Sequence, residues 1–377
     1  MLWLTFEWLK INSLGGFPWG SFALSQIDAF YASFTFPILG ASGTCAVIAL
    51  LSGLFASSRY LLSLFVVLVI AFVAYPLERP APLDKSWLVR AYQIQFNPKE
   101  SGELDRAITL LKNAQQTPAI NVFPEGIVSI SSNDLEYLKE SPSLLDISNP
   151  HPGTLIFGAN IKSGDVVHNT AQIVSSHGKT DGIKKVHLVP FGEQTPIGFK
   201  WLGDILGYNP MFQPGEMMLP VKLNGEMVDI FICYDGFYPD MIPTSQSAVM
   251  ILILDDHWFR SGPLREIHFR QAKLLSQTYL KPILSVGSDG ITGLLGPHGE
   301  KYHMAKKEVG FLSTQLPLYS PSNVWHFKLF HQLVHTIAMV MLAIIPFESL
   351  CVFFSRRWMT GADTIKRRHS FDETPKK

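Results

Sequence analysis

From Ala29 to Ser58 the chain runs 30 residues without a charged side chain, and after Arg59 it runs 18 more, Tyr60 to Leu77. A bilayer-spanning helix needs about 20 predominantly apolar residues, because every backbone polar group must be satisfied within the segment. The two runs predict a transmembrane hairpin, with spans near 37–57 and 60–77 turning at Ser57-Ser58-Arg59. A third candidate covers 329–354, where 19 uncharged residues precede Glu348. A carboxylate at the centre of a span costs a few kcal/mol, whereas near an end it can reach the interface. The alternative for 329–347 is a buried amphipathic helix. Composition agrees with a membrane contribution: 16% of residues are charged, against about 25% in soluble proteins.

Basic residues set the orientation. Arg356, Arg357, Lys366, Arg367, Arg368, Lys376 and Lys377 follow the third span, so the tail 355–377 is expected in the cytoplasm. Residues 78–328 then lie on the opposite side, and so does the aromatic-rich segment 1–36, with its ten aromatic residues, as an interfacial or partly spanning element. A cleaved signal peptide fits poorly, since Glu7 interrupts the start and no small-residue cleavage site follows. Thirty-one basic residues balance 31 acidic ones, so no basic surface for nucleic acid is expected. Three cysteines make no disulfide framework, and no Cys/His cluster has zinc spacing; no metal and no cofactor is expected.

Between Leu83 and Trp325 short apolar runs alternate with helical stretches. Strands are predicted at Trp87–Gln95, Ala119–Phe123, Thr154–Ala159, Thr170–Ser175, Val228–Ile232, Val249–Leu254 and Ile283–Val286. Helices are predicted at Glu103–Gln116, with Leu104, Ile108 and Leu111 on one face, and at Gly262–Leu280. This alternation predicts one α/β domain.

Polar chemistry sits where apolar strands end, which is where α/β folds build their sites. Pro124-Glu125-Gly126 follows one strand, Cys233-Tyr234-Asp235 a second, and Asp255-Asp256-His257-Trp258-Phe259 a third. Cys233 is the only cysteine between the predicted spans. A nucleophilic thiol needs a base for its proton and a cation favouring thiolate, and Glu125 and Lys185 are candidates. Each also has an ordinary reading: a structural cysteine, a solvated turn carboxylate, a surface charge beside Lys184. His268, His298 and His303 read as helix or loop residues.

Taken together these segments resemble the nitrilase (carbon–nitrogen hydrolase) superfamily, and within it the membrane branch of bacterial apolipoprotein N-acyltransferases. Lys185-Val-His-Leu-Val-Pro-Phe-Gly-Glu193 looks like that branch's lysine-to-glutamate block. Phe212-Gln-Pro-Gly-Glu216, Cys233-Tyr-Asp235, Asp256-His-Trp-Phe259 and Gly296-Pro-His-Gly-Glu300 follow in the family's order. Gly16-Phe-Pro-Trp19 and Ser25-Gln-Ile-Asp28 look like its extracytoplasmic membrane loop.

The resemblance implies an α-β-β-α four-layer sandwich anchored in the bacterial inner membrane, with its catalytic domain facing the periplasm. It implies Cys233 as nucleophile, Glu125 as general base and Lys185 as the cation opposing the oxyanion. Glu193, Tyr234 and Asp235 would support them, and Phe17, Trp19, Trp258 and Phe259 would form the substrate or lipid loops. A membrane phospholipid is the implied acyl donor, and an amine or protein N-terminus the acceptor.

The chain also departs from the family pattern. It starts almost at the Phe-Pro-Trp loop, reads Cys-Tyr-Asp for Cys-Tyr-Glu, and has Arg260 after Trp258-Phe259 where glycine is usual. It carries Asp255-Asp256 for Asn-Asp, and Asn97–Gly102 lacks a tryptophan. These changes suit a specialised relative. Three functions are open at this level. The first is an acyltransferase. The second is an amidase or hydrolase in which water resolves the thioester. The third is an envelope accessory factor in plasmid conjugal transfer, partnered by envelope or conjugation-machinery proteins.

Overall fold

The computed structural model describes residues 2–13, 16–74, 80–94, 102–131, 152–175, 180–196, 198–199, 201, 204–205, 212–216, 220–238, 241, 247–259, 262–304 and 310–320, with isolated positions at 332, 333, 336 and 340. The predicted third span 329–354, save those isolated positions, and the basic tail 355–377 lie outside the described residues, as do Asn97–Ser101 and Arg260.

Helix α1 (Leu2–Asn12) leads through a loop and a 3-10 turn (Phe22–Ser25) into α2 (Ala32–Ala56), and α3 (Tyr60–Ala74) packs back on α2. The predicted hairpin is present, but its first helix begins at Ala32 rather than 37. Phe36, Ile38, Leu39 and Cys45 are buried in the protein, so the front half of α2 is a docking segment. Pro37 and Gly40 kink the helix there. Gly40 sits at φ 62°, which a side chain with Cβ would adopt only with strain. Beyond the kink the apolar surface is open: Leu61 is 85% and Phe72 81% exposed. In water such a surface is an association hazard, and in a bilayer it is solvated. Among the described residues α2 alone is long and apolar enough to cross a membrane. The 15 described residues of α3 rise about 22 Å, short of a hydrocarbon core of about 30 Å.

The remaining chain builds two sheets. One has the order β13-β1-β2-β4-β5-β6, with β3 also paired to β4. Its strands are β1 (Pro82–Gln93), β2 (Ile120–Val122), β3 (Val128–Ser131), β4 (Thr154–Ser163), β5 (Val166–Val174), β6 (Thr180–Lys184) and β13 (Gly310–Tyr319). The other has the order β12-β11-β10-β9-β8-β7. It contains β7 (Val221–Leu223), β8 (Glu226–Ile232), β9 (Val249–Asp255), β10 (Ile283–Ser288), β11 (Gly293–Leu295) and β12 (Lys301–Met304). All seven predicted strands are present. The unpredicted ones are short or carry interruptions, such as Pro317 within β13, which lies at a sheet edge where proline is tolerated.

The sheets pack face to face. Val89, Ala91, Val122, Ile156 and Ala171 of the first meet Ile230, Ile232, Ile251 and Leu284 of the second in one core. Each buried Val, Ile or Leu side chain contributes about 1.5–3 kcal/mol by leaving water. Helix α4 (Glu103–Gln115) covers the outside of the first sheet through Ala107, Leu111 and Ala114, and α5 (Gly262–Tyr279) covers the second. Leu104, predicted on the buried face of α4, is exposed in its first turn. The layers therefore run helix, sheet, sheet, helix. The N-terminal segment is fastened to α5: Arg270 and Lys273 both pair with Asp28, and Gln277 donates to the Ile27 carbonyl.

One backbone contact fixes the turn that carries Glu125. Gly158 on β4 lies so close that a Cβ there would enter the space of Gly126 N and Glu125 Cα, and its own N–H donates to the Pro124 carbonyl at 3.0 Å. Gly158→Ala is expected to cost about 1–3 kcal/mol through overpacking against backbone. Thermal unfolding of the purified protein checks this; an unchanged midpoint counts against the contact.

Candidate active site

Four polar residues of the site stand at or just beyond a strand end. Glu125 follows β2 and Lys185 follows β6, while Cys233 follows β8 and Asp255 ends β9. The face-to-face packing of the sheets brings the first pair against the second. Cys233 opens a 3-10 turn (Cys233–Phe237) at φ 48°, a left-handed conformation rare for a residue with a side chain. Strain of this kind persists where the surroundings over-determine it, and it clusters at functional sites.

Lys185 is 1% exposed and held between two carboxylates. Its Nζ donates to Glu125 Oε1 and to Glu193 Oε1, each at 2.9 Å. Asn169 on β5 spans the same pair, its Nδ2 donating to Glu125 Oε1 at 2.6 Å and to Glu193 Oε1 at 3.0 Å. The outer carboxylate oxygens are met by backbone. Asp255 N–H donates to Glu125 Oε2 and Val189 N–H to Glu193 Oε2, both at 2.9 Å. Asp235 is fully buried and accepts from Val186 N at 3.1 Å and His187 N at 2.7 Å, tying the Cys233 turn to the segment after Lys185. Tyr234 donates to the Gly16 carbonyl at 3.1 Å, tying the same turn to the N-terminal loop.

These groups open onto a cavity of about 410 Å³ lined by Glu125, Lys185, Glu193, Cys233 and Tyr234. Its walls are otherwise mostly apolar: Phe17, Trp19, Val189, Trp258, Phe259 and Leu264. Trp19 stacks on Phe237 with ring centroids 5.2 Å apart and lies 5.0 Å from Phe259. Trp258 is 71% and Phe17 58% exposed, so two aromatic side chains stand at the surface beside the cavity. Nine of the ten residues singled out in the sequence line this one cavity, and Asp235 lies behind it. Sequence reading missed Asn169, an unremarkable polar residue in a strand, and treated His268 as an ordinary helix residue although it too lines the cavity.

The electrostatics correct one expectation. A cation beside Cys233 was expected to favour thiolate. Burial instead pushes the thiol well above its usual range, and the Glu125 charge adds to that, while Lys185 only partly offsets it. The ammonium is already countered by two carboxylates. Burial alone would lower the Lys185 pKa, yet Glu125 and Glu193 outweigh it and hold the group protonated. Burial raises Glu125, against the opposing pull of Lys185. The resting pair is thus a protonated thiol and a carboxylate made more basic by its surroundings. That arrangement suits proton removal during attack rather than a standing thiolate.

Among the described residues no cluster of His, Cys, Asp and Glu could hold a metal ion.

Comparison with known proteins follows the same direction. Residues 1–54 match the family described as apolipoprotein N-acyltransferase N-terminal domain. Apolipoprotein N-acyltransferase from Shewanella oneidensis is 25% identical over 364 residues, covering 87% of this chain and 69% of that protein. The enzyme from Rhizobium etli is 28% identical over 335 residues, covering 78% and 62%, and that from Aquifex aeolicus is 26% identical over 197 residues, covering 51% and 44%. The chain thus spans roughly half to two thirds of the length of these relatives. Among solved structures, a CN-hydrolase superfamily protein from Xanthomonas campestris superposes with TM-score 0.46 at 12% identity, covering 62% of this chain and 91% of that one. A Saccharomyces cerevisiae nitrilase-superfamily member gives 0.45 at 17%, covering 62% and 91%.

Removing Lys185 leaves two buried carboxylates facing each other. Lys185→Met is expected to destabilise the fold by about 3–5 kcal/mol near neutral pH. Without the ammonium, the folded-state pKa of Glu125 rises further above its unfolded value. Stability is then retained below the unfolded carboxylate pKa and lost as pH rises through the folded one. Thermal midpoints should fall more at pH 8 than at pH 5, and adding Glu193→Gln should recover part of the loss. A pH-independent loss would show that the carboxylates do not sense the ammonium.

Proposed function

We propose that this apolipoprotein N-acyltransferase-like chain is a membrane-anchored cysteine acyltransferase of the nitrilase superfamily. It takes an acyl group from a membrane lipid, holds it as a thioester on Cys233, and passes it to an amine. The observation that carries the reading is the union of Cys233, Glu125, Lys185 and Glu193 in one cavity whose other walls are aromatic and apolar. An apolar wall accepts an acyl chain, and a dry site strengthens each charge interaction in it.

In the first half-reaction the Cys233 sulfur attacks the ester carbonyl while Glu125 takes the thiol proton. Negative charge moves to the carbonyl oxygen, opposed by the Lys185 ammonium. Collapse breaks the bond to the lipid oxygen, which leaves with the proton from Glu125. The thioester remains. An amine then attacks it, and the thiol is regenerated. Glu193 and Asn169 keep Lys185 and Glu125 in register, and Asp235 holds the nucleophile turn. The exposed Phe17 and Trp258 suit contact with the lipid interface, where aromatic rings are favoured.

The catalytic domain is assigned to the periplasmic side of the inner membrane, on the strength of the predicted span 329–354 and the basic residues in the tail 355–377 that follow it. Reporter fusions after residue 220 and after residue 370 should report opposite sides; the same side for both refutes the topology.

The chemistry is tested by incubating the purified full chain with phosphatidylethanolamine vesicles and measuring intact mass. An acyl adduct on Cys233 is expected, and Cys233→Ala should carry none. Glu125→Gln should slow its formation by on the order of 10²–10³-fold. Absence of any adduct, or an adduct that persists in Cys233→Ala, refutes the reading.

A further inference from the structure

Asp256 and His268 form a buried pair that the steps above leave unused. Asp256 follows β9 and is fully buried, and His268 on α5 is 1% exposed. Asp256 Oδ1 and His268 Nδ1 are hydrogen-bonded to each other. The imidazole lines the Cys233 cavity. It is ringed by Trp19, Phe259 and Phe237, with centroids 4.6, 5.0 and 5.4 Å away. Its second nitrogen, Nε2, is buried without a hydrogen-bond partner, and so is Asp256 Oδ2. In the tautomer whose Nδ1–H donates to Asp256, Nε2 is an acceptor. An acceptor left unpaired in an aromatic wall is destabilising, and such exceptions call for a functional account.

The proton count of the second half-reaction supplies one. An alkyl amine arrives at neutral pH as an ammonium ion. It must lose one proton to expose its lone pair and a second once the C–N bond has formed. Glu125 can relay the second, from nitrogen to the departing Cys233 sulfur. It cannot also hold the first.

We propose that His268, oriented by Asp256, takes the first proton from the acceptor ammonium at Nε2, and so makes the cavity an aminolysis site. This rests on the acyltransferase reading. The acceptor approaches Nε2 from the Cys233 cavity, which the imidazole lines. The free amine then attacks the thioester carbon, the C–N bond forms, and the C–S bond breaks. The sulfur receives the second proton through Glu125, and the imidazolium, stabilised by Asp256, returns its proton to solvent as the amide leaves. Water as acceptor brings no ammonium proton and has no need of this base.

The test uses the full chain with phosphatidylethanolamine vesicles as donor and two acceptors. One is a short peptide with a free α-amino group. The other is hydroxylamine, which is already neutral at pH 7. In His268→Gln the acyl adduct on Cys233 should form as in the wild type, which also reports an intact site. Transfer to the peptide should fall by on the order of 10²-fold, while transfer to hydroxylamine stays within about threefold. Asp256→Asn should move both readouts the same way, less far. Parallel loss with both acceptors, loss of the adduct itself, or unchanged peptide transfer each overturns the role of His268. A wild-type chain that forms no adduct overturns the acyltransferase reading, and this inference with it.

Discussion

The buried ammonium of Lys185 is the interaction on which the rest of the site depends. A lone ammonium in a dry interior is destabilising by several kcal/mol, so the fold must surround it with acceptors. Glu125 and Glu193 supply them. Two carboxylates around one ammonium leave an excess of negative charge, which Asn169 and two backbone N–H groups absorb. Burial, with the Glu125 charge adding to it, pushes the neighbouring thiol well above its usual range, and the shared ammonium offsets this only in part. Charge balance here places a carboxylate made more basic beside a neutral thiol, which is the arrangement the proposed acyl transfer needs.

Strand ends leave backbone donors free for such a site. Inside a sheet the backbone N–H groups are consumed by the ladder. Just beyond it, Asp255, Val186, His187 and Val189 have N–H groups to give, and each is given to a carboxylate of the site. Glu125 belongs to one sheet and Cys233 to the other, so the apolar core between the sheets fixes their approach. A methyl group too many at Gly158 would be felt at Glu125 for this reason.

The N-terminal segment couples this domain to the apolar helix pair α2 and α3. Asp28 grips α5, Tyr234 reaches Gly16, and Trp19 fills one wall of the cavity. The kink at Gly40 lets α2 leave the domain surface and continue as a lipid-compatible helix. Access to Cys233 is therefore shaped by a loop anchored within a few residues of the apolar spans. That placement fits an acyl donor that never leaves the bilayer.

The sequence by itself determined the apolar hairpin, the alternating strands and the candidates Glu125, Lys185, Glu193 and Cys233. The hairpin and strands are written in local pattern, as uncharged runs and short apolar runs; Glu125 and Cys233 follow such runs, and Lys185 and Glu193 bound a block that resembles the family's. Only the tertiary structure decided what lay in non-local charge and packing. Asn169 joined the site because β5 runs beside β6, and His268 because α5 covers the second sheet. The front of α2 became a docking segment because α5 offered it a surface. The thiol's protonation was likewise beyond local reading. It depends on how many charges share one ammonium in a buried volume, and residues 60 and 8 positions from Lys185 along the chain supply them.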